Sequence, residues 1–345
     1  MVLDGESPWG RSALAAVRAL HMGGYRPVVG RSGGRTSMAA VSRYCSSVVD
    51  LPEPGFPEYA SAVAAEAHRH LTTLTASDAA LVAQAAPGAH LTDKSVVSTR
   101  AGAAGLPTLP EVVVSEVSAL PEALRDMTWP LIAKPLVRHA GDAPAREIRS
   151  VDELVPLLHG RPVLVQARHD GELTALSGVV HDGTIRAVVA QRSLRLWPTR
   201  AGTTCWGVSV EPDPARVEAV AQIVADHEGV FQAQFVGPYL VDVNPRVYGS
   251  LPLAVAAGVN LPSIYCALME GKPVPWTVGR PGATYRWVEG DVRHALAARR
   301  AHGLSWIGVA RQLRPHRGTA HSVVQWSDPR PMLLRVGFGL KELLP

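Results

Sequence analysis

A chain of 345 residues, 47 % of them hydrophobic, has room for two or three domains and a sizeable core, which excludes wholesale disorder. The formal charge of +4 comes from scattered basic residues with no block among them, so no nucleic-acid partner is expected. No apolar run of about eighteen residues is free of Pro and charge, so no membrane span is expected either. The first residues, Met1–Asp4 followed by Gly5 and Glu6, lack the basic and apolar regions of a signal peptide, which points to a cytoplasmic enzyme. Cys45, Cys205 and Cys266 are far apart and odd in number, which argues against a disulfide framework or a zinc site.

In chain order, 2–4 reads as a short strand, 5–10 as a glycine-bearing turn, and 11–22 (RSALAAVRALHM) as a helix closed by Gly23 and Gly24. With a strand at 25–29 this makes a β-turn-α-β opening, as in a doubly wound α/β domain. The spacing of Gly5 and Gly10 lacks the Lys-Ser/Thr of a phosphate-cradling loop and reads as a tight turn. A helix over 57–70 and a strand-like run in 71–77 follow. Asp93 and Lys94 then open a helix that ends at Gly105, and strands are expected at 111–117, 130–135, 146–150 and 163–168. A helix starts at Asp152, and a polar loop covers 136–145. Residues 174–193 form a hairpin turned by Asp182 and Gly183. A helix at 212–228, a second hairpin at 231–246 and helices at 250–257 and 261–270 come next. One long helix over about 289–313 lies in an Arg- and Trp-rich tail.

The second hairpin carries the chemistry. Gln234, Asp242, Asn244 and Arg246 share one parity, so Asp242 and Asn244 point to one sheet face and a tight turn brings Gln234 beside them. Three oxygen donors on one face suit Mg²⁺, with Arg246 next to any phosphate the metal holds. A polar outer strand of an ordinary hairpin would show the same parity. Lysine usage bears on the choice: of 34 Lys and Arg, only Lys94, Lys134, Lys272 and Lys341 are lysine, so a retained lysine suggests a site that needs a compact ammonium.

The stretch VDVNPRVYGSLPLAVAAGVNLPSIYCALMEGKPV (241–274) resembles the metal-binding hairpin and following helices of ATP-grasp ligases, notably the large subunit of carbamoyl-phosphate synthetase. The resemblance implies that Asp242 bridges two Mg²⁺ ions, that Gln234 and Asn244 each bind one, and that Arg246 holds the acyl phosphate or carboxylate. Asp242 stands where the family usually has Glu. TDKSVVSTRAGAAGLPTLP (92–110) and WPLIAKP (129–135) are similar to the family's two phosphate-binding lysine segments, which makes Lys94 and Lys134 nucleotide ligands and gives Lys134 a catalytic part. VLVQARHDGE (163–172) resembles the linker that holds adenine, which assigns Gln166 to the nucleotide and Glu172 to the ribose hydroxyls. SRYCSSVVDLPEP (42–54) and TLTASD (73–78) resemble the domain that precedes the grasp.

There are departures. Ala167 stands where the linker usually has Glu, and the lid loop VRHAGDAPAR (137–146) keeps one Gly and gains Arg138, His139 and Arg146. Side chains, Arg138 first, would then cover the phosphates in place of backbone N–H groups. QRSLRLWPTRAGTTCWGVSVEP (191–212) resembles a segment of the branch that acts on small carboxylates. It nominates Arg192, Arg195 and Thr203 as substrate ligands; solvated arginines beside a turn are the plain alternative. Cys205 reads as a buried small residue and the tryptophans as core or interface anchors.

The resemblance implies an α/β ATP-grasp fold in three parts: an N-terminal α/β domain (1–92), a grasp domain (93–275) with a lid over about 107–165, and a helical C-terminal extension (276–345). It implies ATP and Mg²⁺ as cofactors, small-molecule carboxylate and amine substrates, and an acyl-phosphate intermediate; a homodimer is compatible with it. Two rivals stand beside this reading: an acyl-phosphate enzyme with a non-amine acceptor, and a nucleotide-binding regulatory protein with degraded catalysis.

Overall fold

The computed structural model of the protein describes residues 1–5, 9–139, 142, 145–158 and 160–341, with the backbone alone for 338–341. Part of the turn expected at 5–10 and part of the lid loop (140, 141, 143 and 144) therefore lie outside the described residues.

The N-terminal sheet is parallel throughout. It takes β1 (Val2–Leu3), β2 (Val28–Ser32), β3 (Ser47–Leu51) and β4 (Leu74–Thr75) in the order β3-β2-β1-β4. Helix α1 (Arg11–Met22) spans the residues its apolar spacing predicts and covers the face of Val2 and Val29; α2 (Tyr59–Ala67) and α3 (Asp78–Ala83) pack on the opposite face, against Leu3 and Leu51. The strand expected at 25–29 starts after Pro27, whose missing N–H cannot join the ladder. The Ser77 hydroxyl caps α3 by accepting from the Ala80 amide at 3.1 Å, and this places Asp78 in the first turn.

Helix α4 (Lys94–Ala103), capped by the Asp93 carboxylate on the Ser95 amide at 2.9 Å, leads into a small antiparallel sheet. That sheet is β5 (Glu111–Val114), β6 (Leu131–Pro135), β7 (Arg146–Ile148) and β8 (Val163–Ala167), in the order β5-β8-β6-β7, with α5 (Leu120–Ala123) and α6 (Val151–Leu154). It has its own core, built on Val114, Leu120, Leu131, Ile148, Leu154 and Val165.

The largest sheet holds β9 (Leu173–His181), β10 (Thr184–Trp197), β11 (Thr203–Val210), β12 (Gly229–Val236), β13 (Tyr239–Asn244), β14 (Thr277–Val278), β15 (Thr284–Arg286) and β16 (Ala320–His321). Its order is β13-β12-β9-β10-β11-β15-β16, with β14 paired to β10. Its sequence-distant members, β14 to β16, come from beyond residue 276, so the sheet runs across that point of the chain. One face packs on α4 and α7 (Pro214–Ile223) through Val97, Ala101, Val220, Ile223, Phe231 and Phe235. The other packs on α8 (Leu251–Ala256) and α9 (Leu261–Met269), and that core is continuous with the apolar stripe of α1.

Three segments depart from the sequence reading. The long helix expected at 289–313 is two, α10 (Val288–His302) and α11 (Trp306–Gln312). Gly303 takes φ +66° at the end of α10, a conformation costly for residues with a Cβ, and Ser305 caps the new start by accepting from the Gly308 amide at 3.0 Å. Residues 194–211, for which no element is expected, continue β10 to Trp197 and form β11. A last helix, α12 (Arg330–Lys341), was not foreseen. Among the described residues no helix is long and apolar enough to cross a membrane.

Candidate functional site

A cleft of about 910 Å³ opens where the three sheets meet. Its floor is the hairpin β12–β13. Across the ladder Gln234 faces Asp242 and Gln232 faces Asn244. Val241 is the extra residue of a β-bulge, because Gln234 pairs with Asp242 while its neighbour Phe235 pairs with Leu240. The bulge lets Leu240 join Phe235 in the core while Asp242 and Asn244 line the cleft with Gln234. Gln232, beside them, is buried and donates to the hydroxyls of Ser177 and Ser250 at 3.3 Å.

The bulge also fixes a lysine. Lys134, buried on β6, donates its ammonium to the Val241 carbonyl at 2.6 Å and to Gln166 Oε1 at 3.3 Å. Burial pulls this ammonium down to about 8, against the opposing pull of Asp242. Lys94, at the start of α4, stands 3.9 Å from the Asp242 carboxylate. Gln166 in turn donates to Glu111 at 2.6 Å, which fixes its amide. Lys94, Lys134, Arg138, Gln166, Thr203, Gln234, Asp242, Asn244 and Arg246 thus line one cleft.

Arg246 is held by a residue the sequence reading did not single out. Its guanidinium grips Asp78 with both arms, at 2.6 and 3.2 Å, and donates to Asn244 Oδ1 at 2.7 Å. Burial alone would raise the Asp78 carboxyl; the guanidinium, with Lys94 and Arg138, more than offsets this and holds it below the usual carboxylate range. The signal was present as Ser77-Asp78 before a helical run, but a cap pattern says nothing about a partner 168 residues away.

Four expected residues lie apart from the lining. Glu172 is exposed on the rim and pairs with Arg192 at 3.5 Å. On β10, Arg192 pairs with Thr174 of β9, one step out of phase with Gln191, and so projects from the opposite sheet face to Gln234. Arg195 forms a 2.7 Å ion pair with the fully buried Asp291 and donates to the Gln312 carbonyl at 3.2 Å, which ties β10 to α10 and α11. Arg146, part of the lid-loop reading, donates to the Glu153 carbonyl at 2.9 Å.

Other groups enter the cleft unforeseen. Arg168 and Arg200 converge on Glu147, at 3.0 and 2.6 Å, and join the linker and the β10–β11 turn to β7. Burial works to raise the Glu147 carboxyl, and Arg200, Arg149 and Arg168 hold it low. At the carboxyl end of β1, Asp4 accepts from the Ser32 amide at 3.2 Å through one oxygen, and its other oxygen has no hydrogen-bond partner. Burial raises this carboxyl to about 6, with Ser37, the Ser32 amide, Arg31 and Arg35 opposing. Arg11, Trp287 and Arg293 complete the lining at the N-terminal-domain end.

The donor chemistry of the hairpin fits Mg²⁺: Gln234, Asp242 and Asn244 offer hard oxygens, with Asp242 the single carboxylate among them.

Comparison with protein-family models and with curated proteins finds no match. Solved structures do match. N5-carboxyaminoimidazole synthetase from Staphylococcus aureus, in complex with ADP, is 13 % identical at a TM-score of 0.62, over 80 % of this chain and 78 % of that one. Biotin carboxylase from Campylobacter jejuni is 14 % identical at 0.57, over 79 % and 71 %. An L-amino acid ligase from Bacillus licheniformis is 14 % identical at 0.55, over 78 % and 73 %. With a parallel N-terminal sheet, a small antiparallel sheet and a large, mostly antiparallel sheet around one cleft, the chain has the ATP-grasp fold.

Proposed function

We propose that the protein is an ATP- and Mg²⁺-dependent ligase that activates a carboxylate as an acyl phosphate and joins it to an amine. The observation that carries this reading is the convergence of Lys94, Lys134, Gln234, Asp242, Asn244 and Arg246, from four separate segments, on one cleft wall. The fold's neighbours include a structure with ADP and an L-amino acid ligase, which agrees with it.

In this reading the nucleotide lies between the lid sheet and the large sheet. Gln166 and the linker backbone flank the base, and Lys134 and Lys94 neutralise phosphate oxygens. Arg138 covers the phosphates from the lid. Gln234, Asp242 and Asn244 would hold Mg²⁺, which neutralises charge on the transferring phosphoryl group. A substrate carboxylate oxygen attacks the γ-phosphorus; the bond to the bridging oxygen breaks and ADP leaves. Arg246, aimed by Asp78, stabilises the charge on the acyl phosphate. The amine nitrogen then attacks the acyl carbon, phosphate departs with the C–O electron pair, and the nitrogen loses its proton. Closure of the lid keeps water from the acyl phosphate.

The test is ADP release measured over a matrix of carboxylic acids and amines. The reading expects release that requires an acid, rises with an amine and yields amide in equal amount. Acid-independent ADP release across the whole matrix, or none at all, contradicts it.

A further inference from the structure

One guanidinium in the cleft has no task in the nucleotide chemistry. Arg11 is the first residue of α1 and lines the end of the cleft made by the N-terminal domain. Its guanidinium carbon lies 3.9 Å from the centroid of the Trp287 ring, and Nη1 donates to the Tyr285 hydroxyl at 3.0 Å. That hydroxyl donates onward to the Gly249 carbonyl at 3.0 Å. Gly249 itself backs the guanidinium: a Cβ at 249 would stand 3.3 Å from its carbon and from Nη2. An indole ring, a phenol and a glycine therefore fix the plane of this side chain before any ligand arrives.

No described carboxylate forms an ion pair with it, although its charge helps Arg335 and Arg293 to hold the Glu289 carboxyl low. Arg246 is bound to Asp78, Arg168 and Arg200 to Glu147, and Arg293 to Glu289. Among the described arginines lining the cleft, Arg11 and Arg138 have no described carboxylate within 4.0 Å. Arg138 belongs to the lid beside the phosphate lysine; Arg11 does not. A rigid guanidinium with donors to spare is the group that recognises a carboxylate bidentately. The start of α1 adds to the field: Gly10 caps it without a side-chain acceptor, and Gly10 and Ser12 line the cleft with Arg11.

We propose that Arg11 docks a carboxylate of the organic substrate, apart from the nucleotide phosphates, and so does the work that sequence reasoning gave to Arg192 and Arg195. This rests on the ligase reading only in supposing that an organic acid enters the cleft. Trp287, Tyr285 and Gly249 are positioning residues for it.

The experiment uses the full chain, its Arg11→Gln and Arg11→Lys variants, and a probe set of the proteinogenic amino acids and short dicarboxylic acids. Each acid is tested for ADP release and, with Mg²⁺ and a non-hydrolysable ATP analogue, for thermal stabilisation. Arg11→Gln is expected to raise the KM or apparent Kd of the responding acid by about tenfold or more, the effect of losing a charge-assisted contact. The KM for ATP should stay within about twofold, and Arg11→Lys should recover part of the loss because it keeps the charge without the fork. Acid binding that depends on Arg11 without ADP release would sink the ligase reading and sustain this one. An acid response unchanged in a folded Arg11→Gln protein, or no response of the wild type to any acid of the set, overturns the proposal.

Discussion

The two ends of the cleft are built differently. At the end we propose for the phosphates, each group sits on a strand or helix whose local sequence announces it. Lys134 stands within an apolar strand, Lys94 follows an Asp cap, and Asp242 and Asn244 alternate along one hairpin arm. At the end we propose for the acid, Arg11 is fixed by Tyr285 and Trp287, more than 270 residues away, and Arg195 is drawn off by Asp291. Alternation and capping are local regularities, so the first end can be read along the chain. The second end is a product of tertiary packing and leaves no periodic trace.

The contrast can be broken most forcefully at the hairpin. Asp242→Asn keeps the shape and removes the one carboxylate of the oxygen cluster. Acid-dependent ADP formation is expected to fall by about 10²–10³-fold with the fold intact by circular dichroism. Turnover within a few-fold of wild type would reduce the hairpin to a solvated edge.

Next in size is the contrast between the arginines. Arg195→Ala leaves the buried Asp291 with Arg286 alone and should cost about 2 kcal/mol in urea unfolding. The acid KM of the folded fraction should not move. A large rise in acid KM with unchanged stability would restore Arg195 to the substrate.

A smaller effect belongs to Asp4. Its folded-state carboxyl, near 6, titrates above its ordinary value of 3.8. The folded state therefore holds the proton more tightly than the unfolded chain. Stability from this group is present below about pH 4 and declines as pH rises to about 6, on the order of 3 kcal/mol in all. Asp4→Asn should thus raise the melting temperature at pH 7.5 more than at pH 4. An equal shift at both pH values would mean that Asp4 carries no burial penalty.

Much of the fold was legible, and the reasons are specific. Helix α1 matches its apolar spacing over Arg11–Met22, and the Asp182-Gly183 turn closes the β9–β10 hairpin as its residues demand. The break at Gly303 was missed because an Arg- and Ala-rich run leads up to it and apolar residues resume beyond it at Leu304, Trp306, Ile307 and Val309. The extension of β10 to Trp197 was missed because its partner β11 follows a turn of Pro, Arg and Gly that reads as loop. Of the site, the hairpin row and the two lysines were visible. Asp78, Asp4 and Arg11 were not, because each acquires its meaning from a partner, or from the absence of one, in the folded state.

The central claim is that Lys134, aimed across the cleft by the bulge at Val241, is a phosphate ligand of bound MgATP. Calorimetric titration of MgATP into wild type and Lys134→Ala tests it most directly. The account predicts measurable binding to wild type and a loss of about 1.5–3 kcal/mol, roughly ten- to a hundredfold in Kd, in the variant. Equal affinity for the two proteins, with the variant folded, would contradict it.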